Sequence, residues 1–323
     1  MPNQPDLFPA AAHGKAAKDD DLPDKPDESG EDGALPPKEV ARFNVGSEKT
    51  ILLYQGDCLT GMEHLLAPES VDVVVTSPPY NIGVKYGYYD DTIPRDQYLQ
   101  WMHDWGVLVN RVLKPEGSLF LNIGCKPSDP WIPMDVAGTL RDMLELQNVI
   151  HWVKSIYIEN SSYGERSAIN VGHYKPINSK RFLNDAHEYI FHFTKTGKVT
   201  LERLAIGVPY KDGSNTNRWR AGSPGKRCRG NNWYIPYATI QRRSSERPHP
   251  ASYPPQLAEM CLKLHGLAEI SLVLDPFLGI GNTALACSRL GVPMVGFEVD
   301  EDYIRVATDL LDKERLLAGK GAG

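Results

Sequence analysis

The 323 residues carry 41% apolar and 24% charged side chains, enough for one large α/β domain with an insertion or for two modest domains, each with a real core. No run approaches the ~20 apolar residues of a membrane span. Met1 is followed by a Pro-rich acidic stretch, and the five scattered cysteines (Cys58, Cys125, Cys228, Cys261, Cys287) form no CxxC pair, so a soluble cytoplasmic chain without structural zinc is expected. The formal net charge of -6 argues against a polyanionic partner only until its distribution is read. Residues 1–41 hold ten acids against four lysines, which accounts for all of it.

Those first 41 residues, rich in Pro, Asp, Lys and Gly, cannot bury enough apolar surface to offset the entropy of ordering, and are expected to form a disordered acidic tail. Folded sequence is expected from residue 42, and a first half runs to 195. It opens with a strand at 51–54, a short helix at 58–66 and a strand at 71–75, whose β-branched run reads as buried on both faces. Tyr98, Trp101, Met102, Trp105, Leu108, Val109 and Val112 give a helical period over 96–113. A strand at 118–123, a helix at 134–144 and strands at 151–154 and 188–193 follow.

Residues 196–248 break this pattern. Between Lys211 and Arg247 nine cations stand against two acids, interleaved with Trp219, Trp233, Tyr234 and Tyr237. That composition suits phosphate contact with base stacking, and equally a solvated loop. Residues 230–233 read as a turn presenting side chains. Regularity resumes over 249–323, with a helix at 254–265, a strand at 271–274, a helix at 282–290, a strand at 294–297 and a last helix from Asp302. The alternation predicts an α/β fold, a mainly parallel sheet with helices on both faces.

Two segments carry chemistry. Asp275-Pro276-Phe277-Leu278-Gly279-Ile280-Gly281-Asn282-Thr283 lies where a buried strand hands over to a helix, and Gly279 and Gly281 permit a tight turn and close approach of a ligand, or simply a tight turn. Glu298, ending the next strand, adds an acid that can accept from both hydroxyls of a ribose, so a nucleoside-containing cofactor is predicted. NAD competes, but the third glycine of GxGxxG is missing. The second segment, Ser77-Pro78-Pro79-Tyr80, follows the buried strand at 71–75. Its prolines keep the backbone extended, so carbonyls can point into a cleft. An exocyclic amino group is a poor nucleophile because its lone pair is delocalised into the ring. The Ser77 hydroxyl and Pro78 carbonyl could hold both N–H bonds and draw that nitrogen toward a pyramidal geometry, with Tyr80 stacking on an extruded base. Standing alone, the tetrad is as well explained by a proline-stiffened turn.

Taken together and in this order, Ser-Pro-Pro-Tyr and Asp-Pro-Phe-x-Gly-x-Gly resemble the DNA amino-methyltransferases that make N4-methylcytosine or N6-methyladenine, in the permuted beta group where the tetrad precedes the cofactor loop. The resemblance covers about residues 52–311 outside the basic insertion. It implies a Rossmann-like S-adenosylmethionine-dependent methyltransferase fold with a target-recognition insertion at 196–248. Ser77, Pro78, Pro79 and Tyr80 would be catalytic. Asp275, Phe277, Gly279, Gly281, Asn282, Thr283 and Glu298 would surround the cofactor, with Asp57 toward its adenine. The segment from His249 to Pro255 resembles one that closes the methionine end, although it departs from the commoner His-Pro-Thr-Gln-Lys-Pro. Arg181-Phe182 and His187-Glu188 resemble a segment near the base pocket.

The implied partner is double-stranded DNA, contacted by Arg181, Arg218, Arg220, Lys226, Arg227 and Arg229. A cognate restriction endonuclease and a monomeric or homodimeric state accompany that reading. Ser in the first tetrad position resembles the N4-cytosine members, whereas Asp is more frequent among N6-adenine enzymes. Methylation at cytosine C5 uses a Pro-Cys pair, and none of the five cysteines follows a proline. A non-catalytic nucleic-acid binder of the same fold and a protein or RNA amino-methyltransferase are the competing classes.

Overall fold

A computed structural model describes residues 36–46, 48–84, 89–158, 169–171, 179–210, 225–236 and 252–320. In chain order these form β1 (Lys38–Asn44), β2 (Thr50–Gln55), α1 (Cys58–Leu65), β3 (Val71–Thr76), α2 (Arg95–Val112), β4 (Leu113–Ile123), α3 (Ile132–Thr139) and β5 (Glu145–Val153). Then come β6 (Ile156–Ile158), β7 (Ile169–Val171), β8 (His187–Thr194), β9 (Val208–Pro209), β10 (Lys226–Arg227), β11 (Asn232–Tyr234), α4 (Pro255–His265), β12 (Val273–Asp275), α5 (Asn282–Leu290), β13 (Met294–Glu298) and α6 (Glu301–Lys320).

Nine of the strands make one sheet in the order β1-β2-β13-β12-β3-β4-β8-β5-β11. β2, β13, β12, β3 and β4 run parallel, while β8 is antiparallel to both of its neighbours. The all-buried sequence of β3, VDVVVT, puts it at the centre. Val73 and Val75 pack among side chains of α4, α5 and α6 such as Leu257, Ala284 and Ala307. Val74 joins Met62, Met102 and Trp105 from α1 and α2 on the opposite face. The period of two along the strand thus sets which helices cover each side. α1 lies close on β13 because Gly61 has no side chain there, where a Cβ would stand 2.4 Å from the Phe297 ring.

Several boundaries differ from expectation. Lys38–Ala41, assigned by composition to the tail, belong to β1 and pair antiparallel with β2, whose backbone ladder orders them despite their exposed side chains. The rest of the tail, residues 1–35, lies outside the described residues. β4 starts at Leu113 rather than 118, since Leu113 pairs with Val71 and Lys114 reaches Asp72. The helix expected at 134–144 is α3, which takes Pro133 into its first turn and gives way to turns after Thr139. Trp233, expected in a turn, is 1% exposed in β11, which pairs with β5 at the sheet edge and so belongs to the core. Part of the basic segment is therefore structural.

Candidate active site

Two strands about two hundred residues apart in sequence are joined at both ends. At the amino ends the Asp72 carboxylate accepts from Ser271 N (2.8 Å), Ser271 Oγ (2.7 Å), Leu272 N (2.9 Å) and Lys114 Nζ (2.7 Å). Burial pushes this carboxyl up, but Lys114 and the Ser271 and Leu272 donors outweigh it and hold it below the usual range. At the carboxyl ends Thr76 Oγ1 donates to Asp275 Oδ1 (2.7 Å). Their loops consequently open into one cavity of about 270 Å³.

From the β3 side the cavity is lined by Ser77, Pro78, Pro79 and Tyr80. The Tyr98 hydroxyl donates to the Pro79 carbonyl (2.8 Å), so that carbonyl is engaged by α2. Beyond the tetrad, Asp91, 2% exposed, accepts from the backbone N–H groups of Asn81 (2.7 Å), Ile82 (3.0 Å) and Val84 (2.9 Å). This clamp fixes the exit of the loop, where Asn81 holds a left-handed φ of 56°.

From the other side the lining includes Phe277, Gly279, Asn282 and Glu298, together with Asp57. Glu298 Oε2 accepts from Gly279 N (2.7 Å) and Oε1 from Asp300 N (3.0 Å); burial raises its carboxyl against those two bonds. Asp57 Oδ1 caps α1 through Thr60 N (2.9 Å), which brings its carboxylate to the cavity wall.

Three residues expected around a cofactor do not line the cavity. Asp275, 1% exposed, is an internal hub that takes Thr76 Oγ1 and Phe277 N (3.1 Å) on one oxygen, and Tyr253 OH (3.3 Å) and Thr283 Oγ1 (2.6 Å) on the other. Burial pushes its carboxyl up in spite of these donors. Thr283 is spent on this hub. Gly281, at φ 83°, makes room for a protein neighbour, because a Cβ there would meet the Ala307 Cβ of α6 at 2.7 Å.

Sequence reasoning passed over Tyr253, whose carbonyl accepts from Asn282 Nδ2 (2.8 Å), and the cavity-lining Tyr89, Trp101 and Tyr303. Trp101 looked like core because it follows the helical period, and its ring does lie 5.5 Å from that of Phe277. Of the cationic residues, Arg181 is exposed beside the Phe182 ring (5.3 Å), Lys226 and Arg227 are exposed in β10, and Arg229 Nε donates to the Ile206 carbonyl (3.0 Å). Arg218, Arg220 and His249 lie outside the described residues.

A mostly parallel sheet with helices on both faces and a cleft at the carboxyl ends of its central strands is the architecture of Rossmann-like S-adenosylmethionine-dependent methyltransferases. The fold is shared with the cytosine-N4-specific PvuII DNA methyltransferase (TM-score 0.56, 20% identity, 81% of this chain and 92% of that one). It is shared also with a DNA modification methylase of Thermus thermophilus in complex with S-adenosyl-L-methionine (TM-score 0.50, 22% identity, 81% and 93%). Residues 71–309 match the N6/N4 methyltransferase family of DNA methylases, and the chain belongs to that family. Among its relatives are the type II methyltransferase M.HpaI of Haemophilus parainfluenzae, 28% identical over 77% of this chain and 70% of that protein, and the DNA adenine methyltransferase YhdJ of Escherichia coli K12, 27% identical over 85% and 86%.

Proposed function

We propose that this DNA methylase transfers a methyl group from S-adenosylmethionine to the N4 amino group of a cytosine extruded from duplex DNA, as the modification enzyme of a restriction-modification system. The observation that carries the reading is the single cavity onto which the Ser77–Tyr80 loop and the loop from Phe277 to Asn282 both open. The lining fits the cofactor. Glu298 and Asp57 offer acceptors for ribose hydroxyls and the adenine amino group, Phe277 and Phe297 offer apolar faces, and the acidic wall suits a cationic sulfonium. When bound, the cofactor supplies an electrophilic methyl group. Ser77 and the Pro78 carbonyl hold the amino group, Tyr80 supports the base, and the apolar wall excludes water. Positioning and desolvation are then the main catalytic terms.

The choice of base rests on Ser77 in the first tetrad position. N6-adenine is the second reading, favoured by the likeness to YhdJ over most of both chains. DNA contact is assigned to Arg181, Lys226 and Arg227, which are exposed, and to Arg218 and Arg220 by composition. Arg229 is set aside, since its guanidinium is engaged with Ile206. The test is to incubate the protein with unmodified genomic DNA and cofactor labelled in its methyl group, then hydrolyse to nucleosides. Label in N4-methylcytidine is expected; label in N6-methyladenosine selects the second reading. No label in any nucleoside rejects both.

A further inference from the structure

Behind the tetrad, away from the cavity lining, lies a polar cluster drawn from three strands. Tyr80 OH donates to Glu188 Oε2 (3.0 Å) and lies 2.8 Å from Ser77 Oγ. Asn122 Nδ2 donates to Tyr80 OH (2.7 Å) and to Glu188 Oε2 (2.8 Å), with Ser77 Oγ at 3.4 Å. Lys154 Nζ, from the residue after β5, donates to Glu188 Oε1 (2.8 Å). Only Ser77 and Tyr80 of this group touch the cavity.

Building on the methyl-transfer reading above, we propose that Glu188 is its positioning residue and proton sink: it fixes the direction of a hydrogen-bond chain running from Ser77 through Tyr80, and takes up along that chain the proton the amino group loses. An ionised carboxylate only accepts, and a phenol has one proton. If Tyr80 gives its proton to Glu188, its oxygen must accept in the contact with Ser77, so the Ser77 hydroxyl donates inward. The lone pairs of Ser77 Oγ then face the cavity as an acceptor for an amino N–H. Reversing the polarity at Glu188 would reverse the whole chain and point a proton at the incoming nitrogen.

The balance is complete. As the bond from the methyl carbon to sulfur breaks and the one to nitrogen forms, the nitrogen briefly carries four substituents and a positive charge, which makes it a strong acid. Its proton moves to Ser77 Oγ, the Ser77 proton to Tyr80 and the Tyr80 proton to Glu188 Oε2. Sulfur leaves as a neutral thioether, the amine is neutral, and the carboxylate's charge has cancelled the sulfonium's. So acidic a donor needs no strong base, and a carboxylate beside a lysine suffices. When product leaves, the proton returns to solvent by the same route.

The groups facing Glu188 are Lys154 after β5, Tyr80 after β3, Cys125 after β4, and Asp185 and His187 on its own segment. Burial pushes its carboxyl up, but the Lys154 charge and the bonds from Lys154, Asn122 and Tyr80 outweigh it and set it below the usual range. Glu188 is therefore ionised at neutral pH.

The decisive experiment measures single-turnover methyl transfer to unmodified genomic DNA against pH, alongside the affinity for S-adenosylhomocysteine. Wild type should lose rate at acid pH as Glu188 protonates. Glu188→Gln should be slower by about 100-fold or more at neutral pH and lack that acid limb. Glu188→Asp should recover part of the rate with the limb restored, and all should bind S-adenosylhomocysteine within a few-fold of one another. Lys154→Met should move the acid limb to higher pH, and it decides alone should Glu188→Gln fail to fold. An unchanged rate and limb in Glu188→Gln, or an unmoved limb in Lys154→Met, overturns the proposal. A wild type that methylates no base overturns instead the reading beneath it.

Discussion

On the tetrad side of the cavity the buried carboxylate, Glu188, meets a lysine and two neutral donors and is held ionised. On the cofactor side Asp275 and Glu298 meet hydroxyls and backbone N–H groups, no lysine or arginine bonds them among the described residues, and burial raises both. The contrast follows the charge each side has to receive. A neutral amino group enters a charge-balanced pocket, whereas a cationic cofactor enters beside carboxylates that no protein cation has already neutralised.

The sharpest separation of the two sides is expected from Tyr80→Ala. Methyl transfer should fall by about 100- to 1000-fold while the affinity for S-adenosylmethionine, by calorimetry, stays within a few-fold. A comparable loss of cofactor affinity would move Tyr80 to the other half. Asp275→Ala should instead destroy the distinction. It leaves the buried hydroxyls of Thr76, Thr283 and Tyr253 without their shared acceptor, and should cost roughly 3 kcal/mol in thermal or denaturant unfolding. Intact stability with selective loss of cofactor binding would show that Asp275 serves the ligand and not the seam between β3 and β12.

Glu298→Gln tests the cofactor side alone, with about ten-fold weaker binding and little change in rate at saturating cofactor. Acid should resolve the two sides as well. Glu298, raised, protonates above the pH of a free glutamate, so cofactor affinity falls there first. Glu188, lowered, protonates only below that pH, so the rate at saturating cofactor falls later. For stability the signs are opposite: the lowered carboxyls Asp72 and Glu188 contribute fully above their unfolded-state values and lose that contribution as pH falls through the folded ones, while the raised Asp275 opposes folding less as pH falls. Simultaneous loss of affinity and rate in an acid titration would erase the contrast. The smallest effect belongs to Asp57: Asp57→Ala should cost about 1 kcal/mol through the α1 cap and Asp57→Asn only a fraction of that. A cofactor loss in both variants, measured by calorimetry, would separate its ligand role from the cap.

Much of this was legible in the residues. A run of valines announced the central strand, two prolines an extended loop after it, and a glycine pair the second loop, because each is a local property of backbone sterics and side-chain period. Asn122, the polar residue in an otherwise apolar strand, was a signal that period alone could have raised. By itself, then, the sequence determined the two loops, their order, and the strands that carry them.

The tertiary structure decided which groups within those loops face the cavity. Asp275 turns inward to three hydroxyls, Gly281 yields to Ala307, Trp233 closes the sheet edge, and Asn122, Lys154 and Glu188 converge behind Tyr80. These contacts join residues brought together by neighbouring strands and by helices packed on them. Their energies come from desolvation and hydrogen bonding at sites that exist only once the sheet has closed around them, so no spacing along the chain encodes them.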